Sequence, residues 1–296
     1  MQQIVPQSWV YIEGEFRQAS DAHANLFGQS LHYGIAAIEG IRAYNSHNGP
    51  RLFKPKAHFD RLENSAKAVG LPYHWNAAEL IDLTYALIKK NNLRNAYVRP
   101  LVLAGHSMFL TPSKTSDLIL TAWEWGPFLG TESIRMTVSS YRKPDSSIFP
   151  TQTKLSGSYL PCLLATTQAQ QNGFDEALLL DQQGNIAQGS TNNIFLEKEG
   201  VLYTPSLGSI FPGITRQAVI DIARVLNIDV IEKSLNLKAL QEADSAFLTG
   251  TATGIVGIKQ VDDTLFTEDW TNTIGASIQR AYKSLVTENE NFEVII

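Results

Sequence analysis

Between Asp145 and Asp175 lie 29 residues, and Lys154 is the only formally charged one among them, in the run Thr151-Gln-Thr-Lys-Leu-Ser-Gly-Ser-Tyr-Leu160. Small and apolar surroundings disfavour an ammonium and favour the free amine, the form that attacks a carbonyl carbon. Lys154 is therefore a candidate Schiff-base lysine. The same isolation also fits an uncharged loop from which the side chain snorkels to water. Two further patterns bear on the choice. Phe211-Pro-Gly-Ile-Thr-Arg-Gln217 sets Pro and Gly ahead of an apolar-periodic helix, with Thr215 as a hydroxyl donor in its first turn. Free N–H groups and the dipole at such a helix start make a phosphate seat. Leu248-Thr-Gly-Thr-Ala-Thr-Gly254 crowds hydroxyls between two glycines after a strand, a second place where N–H groups can converge on an anion. Each pattern alone occurs in many ordinary turns. The three together strengthen the reading of Lys154 as a nucleophile.

The elements that must position these residues are readable from periodicity. Trp9–Phe16 reads as a hairpin centred on Glu13-Gly14, and Ala57–Val69 and Ala77–Asn91 carry apolar residues at helical spacing. Asn95–Ala104 and Asp117–Trp123 alternate and are rich in branched residues, as strands of one sheet are. The turn-rich Gly126-Pro-Phe-Leu-Gly130 then marks a boundary, giving a small domain over 1–125, a linker at about 126–133 and a larger domain over 134–296. The second half reads as a strand at Ile134–Ser140, a helix from Tyr159 to Gln171, and strands at Glu176–Asp181, Asn193–Lys198 and Val201–Tyr203. Turns at Gln183-Gly184 and Glu199-Gly200 link them. A helix over Ile214–Leu226, strands at Ala243–Leu248 and Ile255–Val261, and a last helix over Thr267–Leu285 follow. Helices and antiparallel strands mixed without a βαβ rhythm predict an α+β fold rather than a Rossmann fold or a TIM barrel.

Composition narrows the function classes. The chain has 296 residues, 44% hydrophobic and 18% charged, which is globular rather than disordered or coiled-coil. Lys+Arg number 24 against 29 Asp+Glu, a net charge of −5, and the basic residues are scattered, so a broad nucleic-acid face is not expected. The opening MQQIVPQSWVYIEGE has no basic region ahead of an apolar core, and no apolar run approaches the ~20 residues of a membrane span, so a cytoplasmic protein is expected. With Cys162 the single cysteine and six histidines widely spread, neither an internal disulfide nor a metal site is expected.

The chain resembles a known family, the class IV pyridoxal-phosphate aminotransferases, and within it the branched-chain amino acid aminotransferases. The resemblance rests on Leu31-His-Tyr-Gly34 with Glu39-Gly-Ile-Arg42, His58-Phe-Asp-Arg-Leu62, Tyr97-Val-Arg-Pro-Leu101, Trp123-Glu-Trp-Gly126, and Lys154 with Tyr159. Gln188-Gly189, Pro212-Gly-Ile-Thr-Arg216 and Thr249-Gly-Thr-Ala252 complete it, so it runs over nearly the whole chain. It implies a two-domain fold, with a small N-terminal α/β domain and a larger domain containing a pseudo-barrel, and pyridoxal 5'-phosphate as cofactor. By the resemblance, Lys154 forms the internal aldimine and then shuttles the proton between substrate Cα and cofactor. Arg61, Ile214, Thr215 and Thr251 correspond to phosphate contacts, and Tyr159 to the tyrosine that hydrogen-bonds the cofactor's 3'-oxygen. Thr251, Ala252 and Tyr97 correspond to the substrate carboxylate site, and Arg99 to the arginine for the second carboxylate of glutamate. Trp125 corresponds, by the same resemblance, to a residue on the family's pocket wall. Tyr33 and the loop 105–111 correspond to parts lent to a neighbouring subunit, implying at least a homodimer.

The chain departs from the family pattern at positions that bear on chemistry. Where the family carries a glutamate 34 residues after the lysine, partner to the pyridine nitrogen, this sequence has Gln188. A neutral amide cannot balance a pyridinium charge, so the electron sink is weakened. Ile38 and Phe128 stand where branched-chain enzymes often have Phe and Tyr, and Ser190-Thr-Asn192 replaces a smaller glycine-containing run. The first expectation is transamination between leucine, isoleucine or valine and 2-oxoglutarate, with amino acids and 2-oxo acids as partners. Two alternatives stay open. One is another reaction of the cofactor on this fold (a lyase, a racemase, a D-amino acid or specialised-metabolite transaminase). The other is a cofactor-binding protein that has lost turnover.

Overall fold

The computed structural model describes residues 8–126, 133–208 and 210–287. By contacts the chain groups into two units. The first comprises Met1–Gly126 with Thr153–Tyr159, and the second Pro127–Gln152 with Leu160–Ile296.

Alternating burial along Ala96–Ala104 gives the first unit its central strand. Seven strands form its sheet: β1 (Trp9–Ile12), β2 (Glu15–Gln18), β3 (Ala36–Ile38), β4 (Ile41–Ser46), β5 (Gly49–Leu52), β6 (Ala96–Ala104) and β7 (Ser116–Glu124). The order is β2-β1-β7-β6-β4-β5, with β3 also on β6, and all pairs are antiparallel. Glu13 (φ 53°) and Gly14 (φ 84°) supply the two positive φ values that a tight β1–β2 turn demands, as their sequence predicts. Helix α1 is the short Gln29–Tyr33, and α2 (Pro55–Ala68) starts on Pro55, whose missing N–H costs nothing at that position. Asn76 Oδ1 accepts from Glu79 N–H at 2.9 Å and caps α3 (Ala77–Lys90).

The second unit holds nine strands: β8 (Ser133–Arg142), β9 (Glu176–Leu180), β10 (Ile186–Gly189), β11 (Asn193–Lys198), β12 (Val201–Thr204), β13 (Val230–Glu232), β14 (Ser245–Gly250), β15 (Gly254–Val261) and β16 (Thr264–Leu265). They pair in the order β10-β9-β8-β15-β14-β11-β12-β13, with β16 on β15. The sheet is mixed rather than purely antiparallel, because β8 runs parallel to β9 and β15, and β12 parallel to β13. Helix α4 (Leu160–Gln171) packs on β8 and β9, and α5 (Ile214–Val225) and α7 (Ile274–Thr287) pack on β14, with α6 (Leu237–Gln241) between them in the chain. The Phe195 and Phe247 rings stack at 5.1 Å in the core.

Three element boundaries differ from the periodicity. The last helix begins at Ile274 instead of Thr267, since Thr273 Oγ1 accepts from Ala276 N–H (3.1 Å) and caps it, after a separate 3-10 turn at Trp270–Asn272. β10 is only four residues and broken by a register shift between Ile186 and Gln188, too short to show a period. Thr153–Tyr159 groups with the first unit, although it follows the boundary read at 126–133, of which 127–132 lie outside the described residues. Among the described residues no helix is long and apolar enough to cross a membrane, and no group of His, Cys, Asp and Glu is placed to hold a metal.

Candidate active site

In the first unit, α2 carries His58, Arg61 and Ser65 on one face, spaced three and four residues apart. Opposite them stands Glu39, fully buried just after β3. Arg61 donates from Nε (2.5 Å) and Nη2 (3.0 Å) to the two oxygens of Glu39, and His58 Nδ1 lies 2.8 Å from Oε2. Burial raises the Glu39 carboxyl, but the Arg61 guanidinium and then His58 outweigh it and hold the group well below the usual carboxylate range. The imidazole goes the other way. Burial lowers His58, against the pull of Glu39, and the positive charges of Arg61 and Lys154 lower it further. His58 is thus neutral, donates from Nδ1 and keeps a buried Nε2 with no hydrogen-bond partner among the described residues.

These signs fix a pH dependence. An imidazole titrating below its ordinary value of about 6.5 contributes stability that is complete above that pH and is lost as pH falls below it, because the unfolded chain takes the proton first. Urea midpoints of the parent are expected to fall between about pH 7 and about pH 5, and those of His58→Gln to fall less. Equal slopes would place the dependence in other groups.

The same helix face positions Lys154. Its N–H donates to Ser65 Oγ at 3.0 Å, and its carbonyl accepts from Ile38 N–H at 2.9 Å. Three residues on, Gly157 N–H and Ser156 Oγ donate to Gly34 O at 2.9 and 2.5 Å. Gly34 is left-handed (φ 67°) and so close to Gly157 that a side chain at 34 would collide with its backbone. The half-buried Lys154 Nζ then meets Tyr159 Oη at 2.5 Å.

A second group stands on β6. Tyr97 and Arg99, two residues apart on one face of the strand, touch through Arg99 Nη2 and Tyr97 Oη at 3.3 Å. Trp123 and Trp125 pack on Tyr97 with ring centres 5.3 and 5.1 Å away. Ile38 is buried on β3, and Tyr33, exposed on α1, donates to Met108 O at 3.1 Å. Phe128 lies outside the described residues.

In the second unit, two adjacent asparagines gather the remaining residues. Asn192 O accepts from Gly189 N–H (2.8 Å), next to the buried Gln188, while its Oδ1 accepts from Thr253 Oγ1 (2.8 Å) in the turn that carries Thr251 and Ala252. Asn193 Nδ2 donates to Phe211 O at 2.9 Å, just ahead of Ile214 and Thr215 at the start of α5. A Cβ on Gly213 would collide with Asn193 Oδ1, so glycine is needed for this approach. No side chain caps α5 and no acidic residue stands in its first turn, which leaves its N–H groups suited to an anion.

Residue types and spacing alone assign no role to Glu39, His58, Ser65, Asn192 and Asn193. The signal for Glu39 was available: a carboxylate inside the apolar Ala36-Ala-Ile-Glu-Gly-Ile run has to be paired when it is buried.

The model of the amino-transferase class IV family matches residues 36–261. The chain belongs to this family. The class IV match opens on β3 and closes with β15, and encloses every expected site residue except Tyr33. Among class IV relatives, the branched-chain-amino-acid aminotransferase of Salmonella typhimurium is 37% identical over 94% of this chain and 93% of its own. The crystal structure of the Escherichia coli branched-chain amino acid aminotransferase superposes with a TM-score of 0.93 at 36% identity, covering 97% of each chain. The T.th. branched-chain amino acid aminotransferase, solved as a complex with N-(5'-phosphopyridoxyl)-L-glutamate, superposes equally well, at 0.93, with 30% identity over 98% of each chain.

Proposed function

We propose that this class IV aminotransferase uses pyridoxal 5'-phosphate to exchange an amino group between leucine, isoleucine or valine and 2-oxoglutarate, with Lys154 as the reactive amine. The observation that carries the reading is the placement of Lys154: its backbone is bonded on both sides and its amine rests on the Tyr159 hydroxyl. The donor set fits the cofactor. Taken unit by unit, in the first Lys154 suits its aldehyde, Tyr159 its ring oxygen and Arg61 its phosphate, and in the second the uncapped start of α5 with Thr215 and Thr251 suits a phosphate and Gln188 a ring nitrogen. When bound, the cofactor supplies the carbonyl that takes up the amino group and the ring that draws electron density from the substrate Cα.

The chain's own residues do the rest. Lys154 removes the proton at the substrate Cα and returns it, and Tyr159 orients the amine by its hydrogen bond. Glu39 fixes the guanidinium of Arg61 along one edge through two donors, so that the phosphate meets a charge already in place. Ile38 and Trp125, with Phe128, favour an aliphatic side chain, while Tyr97 in the first unit and, separately, Thr251 and Ala252 in the second each suit the carboxylate common to all substrates. Arg99 receives the second carboxylate of glutamate. Arg99→Ala is therefore expected to slow the half-reaction with glutamate far more than that with leucine, and equal losses would make Arg99 structural.

Exposed apolar side chains at Phe27, Leu31, Phe109 and Leu110 support a second copy of the chain on this face, to which Tyr33 and the loop 105–111 are lent. The cytoplasmic setting read from the sequence belongs to the same proposal. Gln188 favours one competing reading, a different reaction of the same cofactor, which a half-reaction screen over single L- and D-amino acids separates. The direct test of the proposal is borohydride reduction of the cofactor-loaded protein followed by peptide mapping. The pyridoxyl group is expected on Lys154, and label elsewhere or none overturns the assignment.

A further inference from the structure

Gln188 is buried on β10, immediately after the register shift that breaks its pairing with β9. Its side-chain oxygen accepts from Phe211 N–H at 2.9 Å. A backbone N–H can only donate, so the end of the amide that faces it has to be the carbonyl, whichever way the two ends are labelled. The Phe211 residue is itself held, because its carbonyl, in the following peptide, accepts from Asn193 Nδ2 at 2.9 Å and the next turn packs through Gly213 against the same asparagine. Phe211 N–H therefore points at Gln188 from a fixed support. The far end of the amide is Nε2, which carries two hydrogens and accepts nothing.

A glutamate here would behave differently. One carboxylate oxygen would take the Phe211 N–H and the other would still be an acceptor for a protonated ring nitrogen. Glutamine under the same restraint presents a donor, and a donor requires a lone pair opposite. We propose that Phe211 N–H locks Gln188 as a hydrogen-bond donor toward the cofactor's ring nitrogen, and that this chain holds that nitrogen unprotonated. The proposal rests on the pyridoxal-phosphate reading above. It makes Gln188 a cofactor contact that sets a protonation state, and the Phe211 peptide the positioning group behind it. The consequence is a ring that draws less electron density from the substrate, so proton removal leans more heavily on the placement of Lys154.

The test reads the nitrogen itself. The holoprotein is loaded with pyridoxal phosphate carrying 15N in the ring, and its 15N NMR shift is followed across the pH range in which the protein is stable. The parent is expected to show the shift of a free pyridine throughout, and Gln188→Glu that of a pyridinium. Where the buried carboxylate of the variant prevents folding, the parent spectrum decides alone. A pyridinium shift in the parent, with the ring N–H donating to the second lone pair of Oε1, overturns the proposal and leaves the cofactor reading standing. No retained label and no reduced adduct on Lys154 overturns both, so the two failures are told apart.

Discussion

Lys154→Ala is expected to slow transamination by about 10²–10⁴-fold from the loss of the positioned base alone, with the loss of the cofactor's anchoring amine added to that. The physical basis is that, among the described residues of the first unit, no neighbour is placed to take over. The backbone of Lys154 is fixed by Ser65 and Ile38, its amine is aimed at Tyr159, and the imidazole on the facing helix, His58, has its basic Nε2 buried inside the unit. Single-turnover absorbance with leucine measures the effect. Tyr159→Phe is the companion variant, since it keeps the ring and removes one hydroxyl, and a loss of no more than about tenfold is expected from one hydrogen bond. Added methylamine should recover part of the activity of Lys154→Ala and none of that of Tyr159→Phe. A loss below tenfold in Lys154→Ala would mean that the proton is moved by another group.

Glu39→Ala is expected to destabilise the protein by about 3–5 kcal/mol, because it leaves the largely buried guanidinium of Arg61 without its counter-charge. Glu39 is wholly buried and Arg61 is 13% exposed. On the same helix Lys56 and Asp60 also form an ion pair, at 2.7 Å, but with side chains 75% and 46% exposed. Asp60→Ala is expected to cost at most about 1 kcal/mol. Urea denaturation of the two variants side by side decides, and equal midpoints would show that the Glu39 pair is solvated in solution. Cofactor retention should fall in Glu39→Ala and hold in Asp60→Ala, since Asp60 takes no part in orienting Arg61.

Local rules account for the elements that were legible in the sequence. The Glu13-Gly14 turn, the Asn76 cap and the alternation along β6 are each encoded within a few residues. What was missed depends on partners distant in the chain. β10 is held by β9 and by a bulge rather than by any period of its own. Parallel pairing of β8 with β9 and β15 leaves no mark that a buried antiparallel strand would lack. The candidate site divides the same way. The isolation of Lys154 and the uncapped Gly213-Ile-Thr start of α5 are sequence features, whereas Glu39, His58 and Ser65 gain meaning only once α2 faces β3 and the Lys154 segment. Asn192 appeared in a departure from the family pattern and Asn193 as the first residue of a strand, and their use as pins for the turn that carries Thr251 and for the start of α5 follows from the fold.

The first unit is discontinuous in the chain, and this sets an order of events during synthesis. Gly34 waits for Ser156, 122 residues away, and Ser65 waits for Lys154, 89 residues away. At roughly 5–20 residues per second the ribosome needs roughly 2–7 s to pass from Gly126 to Tyr159, and the strand β8 emerges in that interval. A nascent chain ending at Gly126 can form the Glu39–His58–Arg61 cluster and the β6–β7 pair, yet it lacks the lysine. Closing so long a loop adds little entropy beyond a shorter one, about 0.6 kcal/mol per doubling, so the late arrival is a matter of timing more than of stability. Lys154 is thus the last component to join a frame built before it, and no truncation at the unit boundary can yield a first unit that carries it.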